Sequence, residues 1–370
     1  ECIGCNICVS RFEMHGPPIA CTQNATIGEE YRRGWHPERF TRAENADNDV
    51  LVVGAGPAGM ECARVLGERG MRRVHLVDAG AEIGGSMVAI PKLPGLGEWA
   101  RVVNYRQIQL AKLKNVAVIT GQRLSPADVV EYGAEIVVVA TGSTWAGDGM
   151  NGYTQAPIAG ADPSLGHVLT PEQVLAGKTV GEHAIIYDTD GYFMAVGLAE
   201  KLLRDGHQVT YVSPFEKIAP FTTLTLEAPR LNRTLRELGM NIVREQLVMS
   251  IEDGGVSLAG NWGGESQLVA DSVILVTQRN PSNELYDELT KDKERLAAEG
   301  IQGVYRIGDC LTPSVPADAI FSGHRLAREI DSPDPDQWRP IIRERRLRGS
   351  TEADYTLGAP SLFGPRIAFD

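Results

Sequence analysis

The sequence contains no long hydrophobic run. None of its apolar stretches approaches the ~18 residues that a transmembrane helix needs, and the stretches present are short and strand-like, such as residues 50–53. Positive charge is also scarce, since 36 Lys and Arg stand against 48 Asp and Glu and the net charge is −12. Such a surface repels phosphate backbones and anionic lipids. With no signal-peptide pattern, we expect a soluble cytoplasmic protein that binds neither nucleic acid nor membranes.

Cysteine is scarce as well, with six in 370 residues, but the cysteines are not evenly spread. Four of them lie within the first 21 residues: Cys2, Cys5, Cys8 and Cys21. A tight loop can turn the first three thiolates toward one point, and the fourth closes the site from further along. This spacing predicts a [4Fe–4S] cluster. A zinc ion remains an alternative, although zinc cysteines usually come as two separated pairs, and disulfides are a further one.

The chain begins directly before the first of these cysteines. Cys2 is the second residue, which leaves no room for a preceding element, so we expect the sequence to be the downstream part of a longer polypeptide. The polar segment up to residue 48 is predicted to wrap the cluster and to link it to the next domain. Because four cysteines already satisfy a cluster, we expect His15 and His36 to have second-shell or surface roles.

A dinucleotide-binding fingerprint follows this segment. A buried strand over 49–53 leads into the turn Gly54, Ala55, Gly56, Pro57, Ala58 and Gly59, which is followed by a helix over 60–69 and a second strand ending at Asp78. The first glycine allows the tight turn, the second lets the backbone approach a pyrophosphate, and the third lets helix pack on strand. Asp78 is predicted to bind an adenosine ribose. The alternative is a Rossmann domain that has lost its ligand.

Three further pairs of residues are predicted to approach the same nucleotide: Gly84 and Gly85, Thr141 and Gly142, and Gly308 and Asp309. The first pair could equally be a plain turn. The second pair ends the strand over 135–140, and ligands of such sheets lie at the carboxyl ends of strands. The third pair precedes a helix over 317–330, whose N-terminus would point at the pyrophosphate.

The strand–turn–helix pattern then repeats imperfectly, with strands over 184–187 and 208–212 and a helix over 192–204. Its turn keeps a single glycine, Gly191. Asp188 and Asp190 place negative charge where a pyrophosphate would lie, and Tyr192 and Phe193 add bulk. We therefore predict a second Rossmann unit that does not bind NAD(P)H. The two aromatic residues are predicted to be core residues or, alternatively, a docking surface.

These patterns together predict an α/β protein in which a cluster-binding N-terminal segment precedes two Rossmann-like domains. The predicted domains are 1–48 for the iron–sulfur segment and linker, 49–178 with 300–330 for the nucleotide-binding domain, 179–299 for the degenerate Rossmann domain, and 331–370 for an extended C-terminal arm. A β-meander is predicted over 243–271. The remaining cysteines, Cys62 and Cys310, are predicted to be small buried residues.

The order of these motifs resembles that of a known family. The motifs are the four-cysteine pattern, the Gly54 fingerprint, Ala140-Thr141-Gly142, and Gly303-x-Tyr305-x-x-Gly308-Asp309. They are similar to the downstream half of the trimethylamine dehydrogenase family of iron–sulfur flavoproteins, which includes dimethylamine dehydrogenase, histamine dehydrogenase and, more distantly, 2,4-dienoyl-CoA reductase.

The resemblance implies a three-part enzyme. An upstream TIM barrel holds covalently attached FMN and oxidises a small amine, and the [4Fe–4S] cluster passes the electrons singly to an electron-transferring flavoprotein. The two downstream domains resemble the FAD and NADPH domains of glutathione reductase. In the amine dehydrogenases ADP occupies the FAD site, whereas the dienoyl reductases bind FAD there. The resemblance also implies a homodimer.

Two alternatives remain open beside an electron-transfer and ADP-binding portion of an amine dehydrogenase. One is an FAD- and NAD(P)H-dependent reductase of the dienoyl-CoA type, and the other is a non-catalytic ADP-binding module. The altered turn over 188–195 favours the amine dehydrogenase branch. Because this sequence lacks the barrel, no catalytic residue is assigned, and neither are the amine-binding residues or the flavin-linking cysteine.

Overall fold

The computed structural model describes residues 2–13, 19–29, 35 and 39–337. His15, His36 and residues 338–370 of the predicted C-terminal arm lie outside the described residues.

The described chain alternates helices and strands. The strands are β1 (Asp49–Val53), β2 (Arg73–Val77), β3 (Val116–Ile119), β4 (Ile136–Val139), β5 (Ser143–Trp145), β6 (Val168–Leu169), β7 (His183–Asp188), β8 (Gln208–Ser213), β9 (Asn241–Arg244), β10 (Gln246–Glu252), β11 (Gly255–Gly260), β12 (Glu265–Val269), β13 (Ser272–Val276), β14 (Arg279–Pro281) and β15 (Gly303–Arg306). The α-helices are α1 (Ile7–Glu13), α2 (Pro57–Glu68), α3 (Ala100–Leu110), α4 (Pro126–Tyr132), α5 (Pro171–Leu175), α6 (Phe193–Arg204), α7 (Ala228–Glu237), α8 (Glu284–Thr290), α9 (Lys293–Ala298) and α10 (Pro316–Glu329). None of these described helices is both long enough and apolar enough to cross a bilayer.

The chain divides into two compact units. Unit 1 comprises residues 1–88, 100–142 and 282–370, and unit 2 comprises 89–99 and 143–281. The predicted boundaries at 178/179 and 299/300 are therefore displaced. The reason is that β5 and β14 pair antiparallel, so the strands that begin and end the long segment of unit 2 form a two-stranded ribbon.

Unit 1 is built on a five-stranded parallel sheet in the order β15-β4-β1-β2-β3. All five residues of β1 are buried. Val50 and Val52 belong to the core cluster that includes α2 and α10 residues, while Leu51 and Val53 belong to a cluster that includes α4, α8 and α9 residues. A parallel sheet covered on both faces requires such continuous apolar strands. The predicted parallel Rossmann architecture is confirmed for this unit.

Helices α2 and α10 pack closely in unit 1. A Cβ atom added at Gly323 of α10 would lie 2.2 Å from the carbonyl oxygen of Ala58 in α2. Only glycine allows the two backbones to approach at this point. Helix α10 was predictable from the sequence, but the role of Gly323 was not, because a glycine inside a helical pattern does not reveal its partner.

Unit 2 contains a second five-stranded parallel sheet, in the order β6-β13-β7-β8-β9. The three antiparallel strands β10, β11 and β12 form the meander predicted over 243–271. Strand β7 is buried over Ala184–Asp188 and leads into the turn before α6. The predicted second strand–turn–helix–strand unit is therefore present.

Candidate functional site

The first three cysteines lie in a coiled loop at the start of the described chain. Cys2 and Cys5 precede α1, and Cys8 lies in its first turn. Gly4 and Asn6 adopt left-handed backbone conformations, with φ of +68° and +55°, which coil the loop between the cysteines. All four predicted ligands are free thiols, Cys2 being exposed and the other three half-buried.

Hydrogen-bond donors approach the cysteine sulfurs. The backbone N–H of Gly4 donates to Sγ of Cys2 at 3.3 Å, and that of Asn24 donates to Sγ of Cys21 at 3.5 Å. The hydroxyl of Thr22 lies 3.3 Å from Sγ of Cys5, which brings the segment that carries Cys21 beside the loop. Hydrogen bonds to sulfur are among the groups that tune iron–sulfur clusters. This donor set fits a thiolate-bound cluster.

Among the described residues, no group of three or more His, Cys, Asp or Glu side chains is placed to hold a metal ion. A tetrahedral zinc site needs its ligands around one atom, whereas the thiolates of a [4Fe–4S] cluster bind different iron atoms. Assignment of the four cysteines to a cluster therefore stays a prediction, supported by their spacing and by the donors that surround them.

The predicted nucleotide-binding turn lies between β1 and α2, and its three glycines differ in what surrounds them. A Cβ added at Gly54 (φ +107°) would lie 2.2 Å from the Ala140 carbonyl oxygen, and one added at Gly59 would lie 1.9 Å from the Gly54 carbonyl oxygen. A Cβ added at Gly56 would meet nothing within 4 Å. Packing of the protein therefore requires the first and third glycines, while the second faces the open space that a pyrophosphate would use.

Asp78 follows the end of β2, as predicted, and braces the turn. Its Oδ2 accepts a hydrogen bond from the backbone N–H of Ala55 at 2.6 Å, and its Oδ1 accepts one from that of Gly80 at 2.7 Å. The carboxylate thus fixes the backbone of the glycine turn from its position beside β1. Its predicted contact with a ribose stays a prediction.

The predicted Gly84–Gly85 segment lies against the same turn. The backbone N–H of Gly84 donates to the Ala55 carbonyl at 2.8 Å, and a Cβ added at Gly85 would lie 3.1 Å from Cα of Gly56. Gly85 also starts a 3₁₀ helix that ends at Val88. The segment therefore packs on the backbone that would face the phosphates.

The other two predicted pairs also lie at the carboxyl edge of the unit 1 sheet. Thr141 donates to the Ser282 carbonyl at 2.5 Å, and Gly142 follows it with φ of +77°. A Cβ added at Gly308 would lie 2.7 Å from Cβ of Ala58, inside the glycine turn. Asp309 follows, and its Oδ1 accepts a hydrogen bond from the backbone N–H of Ser314 at 3.1 Å.

The corresponding turn of unit 2 is filled by its own carboxylate. Asp188 is fully buried, and its Oδ1 accepts hydrogen bonds from the backbone N–H groups of Asp190 at 3.0 Å and Gly191 at 2.8 Å. Its Oδ2 accepts one from the Tyr211 hydroxyl at 2.5 Å. Burial raises the pKa of Asp188 to about 7, despite these donors. Phe193 packs against the core of this unit, and Tyr192 contacts it edge-to-face.

Unit 1 also contains a buried ionic cluster that is not apparent from the sequence. Its centre is Glu61 of α2, only 2% exposed, which accepts hydrogen bonds from Arg64 at 2.6 Å and Arg106 at 3.0 Å. Burial alone would raise the pKa of Glu61, but the charges of these two arginines hold it well below its usual range. Glu61 and Arg64 resemble an ordinary surface pair on a helix, so the sequence carried no signal of their burial.

His324 of α10 completes this ionic cluster. Its Nδ1 lies 2.9 Å from Oε1 of Glu61, and its Nε2 lies 3.2 Å from Nε of Arg328. Because Arg328 can only donate, Nε2 accepts and the proton sits on Nδ1. Burial lowers the pKa of His324 to about 4, which agrees with a neutral ring.

Cys62, also on α2, and Cys310 are fully buried, as the sequence predicted.

Comparisons with known proteins match both units. Residues 52–106 match the model of an NAD(P)-binding Rossmann-like domain, and residues 169–282 match that of an OYE-like second alpha/beta domain. The chain is similar to dimethylamine dehydrogenase of Hyphomicrobium sp. (strain x), with 47% identity over 94% of this chain and 50% of that protein.

Two solved structures have a similar fold. Histamine dehydrogenase from Rhizobium sp. 4-9 has a TM-score of 0.88 at 38% identity, over 94% of this chain and 53% of that one. The 6-hydroxypseudooxynicotine amine oxidase from Pseudomonas geniculata N1 has a TM-score of 0.83 at 40% identity, over 89% of this chain and 48% of that one. The chain thus spans about half the length of each of these relatives.

Proposed function

Because the chain belongs to the amine dehydrogenase family that includes dimethylamine dehydrogenase and histamine dehydrogenase, we propose that it is the electron-transfer and nucleotide-binding portion of such an enzyme. In this proposal the complete enzyme is an oxidoreductase that acts on the C–N bond of a small amine. The amine would react at FMN in a barrel domain that this chain does not contain, and the electrons would leave toward an electron-transferring flavoprotein or a similar acceptor.

The proposal rests mainly on the four cysteines of the N-terminal segment. Cys2, Cys5, Cys8 and Cys21 are free thiols, and backbone N–H groups donate to two of their sulfurs. When bound there, a [4Fe–4S] cluster would accept and release single electrons. The role of the chain's own residues is to hold four thiolates in place and to direct these donors at the sulfurs of the cluster.

The nucleotide site is proposed to hold ADP as a structural ligand. Gly56 leaves space beside the N-terminus of α2, where backbone N–H groups favour a phosphate. Gly85 and Gly308 pack around the same turn. We assign no redox step to this site, and its occupant would stabilise unit 1 by binding only its folded form.

The alternative of an NAD(P)H-dependent reductase is disfavoured by Asp188. In unit 2 this carboxylate already accepts the hydrogen bonds of the turn's N–H groups, so these donors are not free to bind a pyrophosphate. A reductase would need these donors for the nicotinamide dinucleotide. The other alternative, a non-catalytic ADP-binding module, would need no cluster.

The proposal is tested by analysing what the purified protein holds. The protein is prepared anaerobically, its iron and acid-labile sulfide are quantified, and the nucleotide released by denaturation is identified by mass spectrometry. We expect four iron and four sulfide per chain and ADP without flavin. FAD in the denatured supernatant, together with NADPH oxidation in the presence of a dye acceptor, would instead establish the reductase. ADP without iron after reconstitution would indicate the non-catalytic module.

A further inference from the structure

Arg106 is the largest fully buried side chain among the described residues, with no solvent exposure. It lies on α3, and all five of its N–H groups have an acceptor. Nε donates to Oε2 of Glu61 at 3.0 Å, and Nη1 donates to the Val102 carbonyl at 3.0 Å and to Oε1 of Gln23 at 3.2 Å. Nη2 donates to the carbonyls of Thr22 and Gln23, both at 3.4 Å.

Three of these five hydrogen bonds therefore reach the two residues that directly follow Cys21. The same short segment contacts the cysteine loop, because the Thr22 hydroxyl lies 3.3 Å from Sγ of Cys5. It also carries the backbone N–H of Asn24 that donates to Sγ of Cys21. A single buried guanidinium thus fixes the backbone on which two predicted cluster ligands depend.

Glu61 stabilises the buried charge of Arg106 in the protein interior. A buried cation without a partner is strongly destabilising, and Glu61 supplies the compensating charge from α2. That helix also begins at the nucleotide-binding turn. The contacts therefore run without interruption from α2 through Glu61 and Arg106 to Thr22 and Cys5, all within unit 1.

We propose that Arg106 is a positioning residue for the iron–sulfur cluster, holding the Cys21–Gln23 segment in the conformation that presents Cys21 and supports Cys5. The inference rests on the proposed cluster. In the described chain, no hydrogen bond of Arg106 reaches one of the four cysteines, so its effect passes through residues 22 and 23. Groups behind metal ligands commonly contribute about 10–100-fold to metal affinity.

Arginine is specifically required by this geometry. A lysine at position 106 keeps a positive charge for Glu61, but it has only three donors on a single nitrogen and cannot supply the planar fork that reaches two carbonyls and an amide oxygen. Arg106→Lys therefore separates charge neutralisation from positioning. The matched control is Arg64→Lys, because Arg64 donates to the same Glu61 carboxylate and to no atom of segment 19–29 in the described chain.

The experiment compares wild type, Arg106→Lys and Arg64→Lys after anaerobic reconstitution. The rate at which a chelator bleaches the cluster absorbance is measured, together with the EPR spectrum and midpoint potential of the reduced cluster. We expect Arg106→Lys to lose its cluster about 10-fold faster than wild type or more, with a shifted EPR spectrum. Arg64→Lys should keep the wild-type spectrum and nearly the wild-type rate.

The outcomes test the positioning role of Arg106 and the presence of the cluster separately. Equal rates for all three proteins, or equal acceleration in both variants, would overturn the positioning role. A wild-type protein that holds no iron and sulfide would overturn the proposed cluster itself. If Arg106→Lys does not fold, Gln23→Leu tests the same contact, because it removes one acceptor from the guanidinium and leaves the pair with Glu61 intact. Faster cluster loss in that variant supports the proposal, and a wild-type rate overturns it.

Discussion

The carboxylate of Asp188 accepts a hydrogen bond from the backbone N–H of Gly191 at 2.8 Å, in the turn where a nucleotide-binding Rossmann domain would place a pyrophosphate. A side chain of the protein thus accepts the backbone hydrogen bonds that a ligand would otherwise accept. The second Rossmann unit can then remain folded without a dinucleotide, because the turn leaves these buried N–H groups paired.

Replacing Asp188 by Asn tests the raised pKa. The folded-state pKa of about 7 lies above the ordinary aspartate value of 3.8, so the folded protein binds the proton more tightly, and wild-type stability falls as pH rises between these values. Asp188→Asn removes this dependence. Its unfolding free energy should therefore rise relative to wild type by about 1.4 kcal/mol per pH unit across that window at most.

The measurement is urea denaturation of both proteins at several pH values from 4.5 to about 7.5. An Asn can still accept from the backbone N–H groups, so the fold is retained. A difference in stability between the two proteins that does not change with pH would show that Asp188 is already ionised throughout this range.

A second prediction concerns the buried carboxylate of unit 1. Glu61→Gln should lower the unfolding free energy by about 3–5 kcal/mol, because it leaves the buried guanidinium groups of Arg64 and Arg106 without their counter-charge. Glu68→Gln on the same helix is the control, since Glu68 is exposed and such substitutions usually stay within about 0.5 kcal/mol. Denaturant titration checks both, and equal small effects would contradict the prediction.

The same residues show where sequence analysis reaches its limit. The glycine turn was predictable because its glycine spacing lies within one strand–turn–helix unit, where Gly59 packs on the Gly54 carbonyl oxygen. The contact of Gly54 with the distant Ala140 was not predictable in this way. Glu61 was not predictable either, because two of its partners, Arg106 and His324, lie 45 and 263 residues away. No local pattern distinguishes it from a surface glutamate followed by an arginine three residues later.

The domain boundary was misplaced for a related reason. Strand β5 has only three residues, and its partner β14 begins more than 130 residues later, so no hydrophobic alternation of useful length marks it. The cysteine segment was only partly predictable from the sequence. Its spacing predicted the ligands, whereas the donors from Gly4 and Asn24 depend on backbone conformation that spacing does not determine.

A third prediction separates the cluster cysteines from the structural ones. Cys5→Ser should cost the protein most of its bound iron and, in an enzyme that contains the barrel, fast electron transfer to the acceptor, because a serine is a poor substitute for the thiolate ligand. Cys310→Ser is the control. Its sulfur is buried and donates to the Val139 carbonyl, a hydrogen bond that a serine hydroxyl can replace. Iron analysis after reconstitution checks both, and equal iron content in the two variants would contradict the ligand assignment.

The last prediction distinguishes the glycines of the nucleotide-binding turn. Gly56 has φ of −70° and ψ of 177°, which any residue can adopt, and a Cβ there meets nothing within 4 Å. Gly56→Val should therefore fold normally and lose the nucleotide, because its methyl groups occupy the space that faces the phosphates. Gly59→Ala should instead lower stability by about 1–3 kcal/mol, since its Cβ would lie 1.9 Å from the Gly54 carbonyl oxygen.

The two variants are compared in the nucleotide-free state, so that loss of ligand does not itself lower the melting temperature. Mass spectrometry of the purified proteins reports nucleotide content, and thermal denaturation after removal of the nucleotide reports stability. Gly56→Val should match wild type in the second measurement and differ in the first. If it instead retains a full complement of nucleotide, the ligand does not approach the turn at Gly56, and the predicted role of this glycine is wrong even though the Rossmann fold is present.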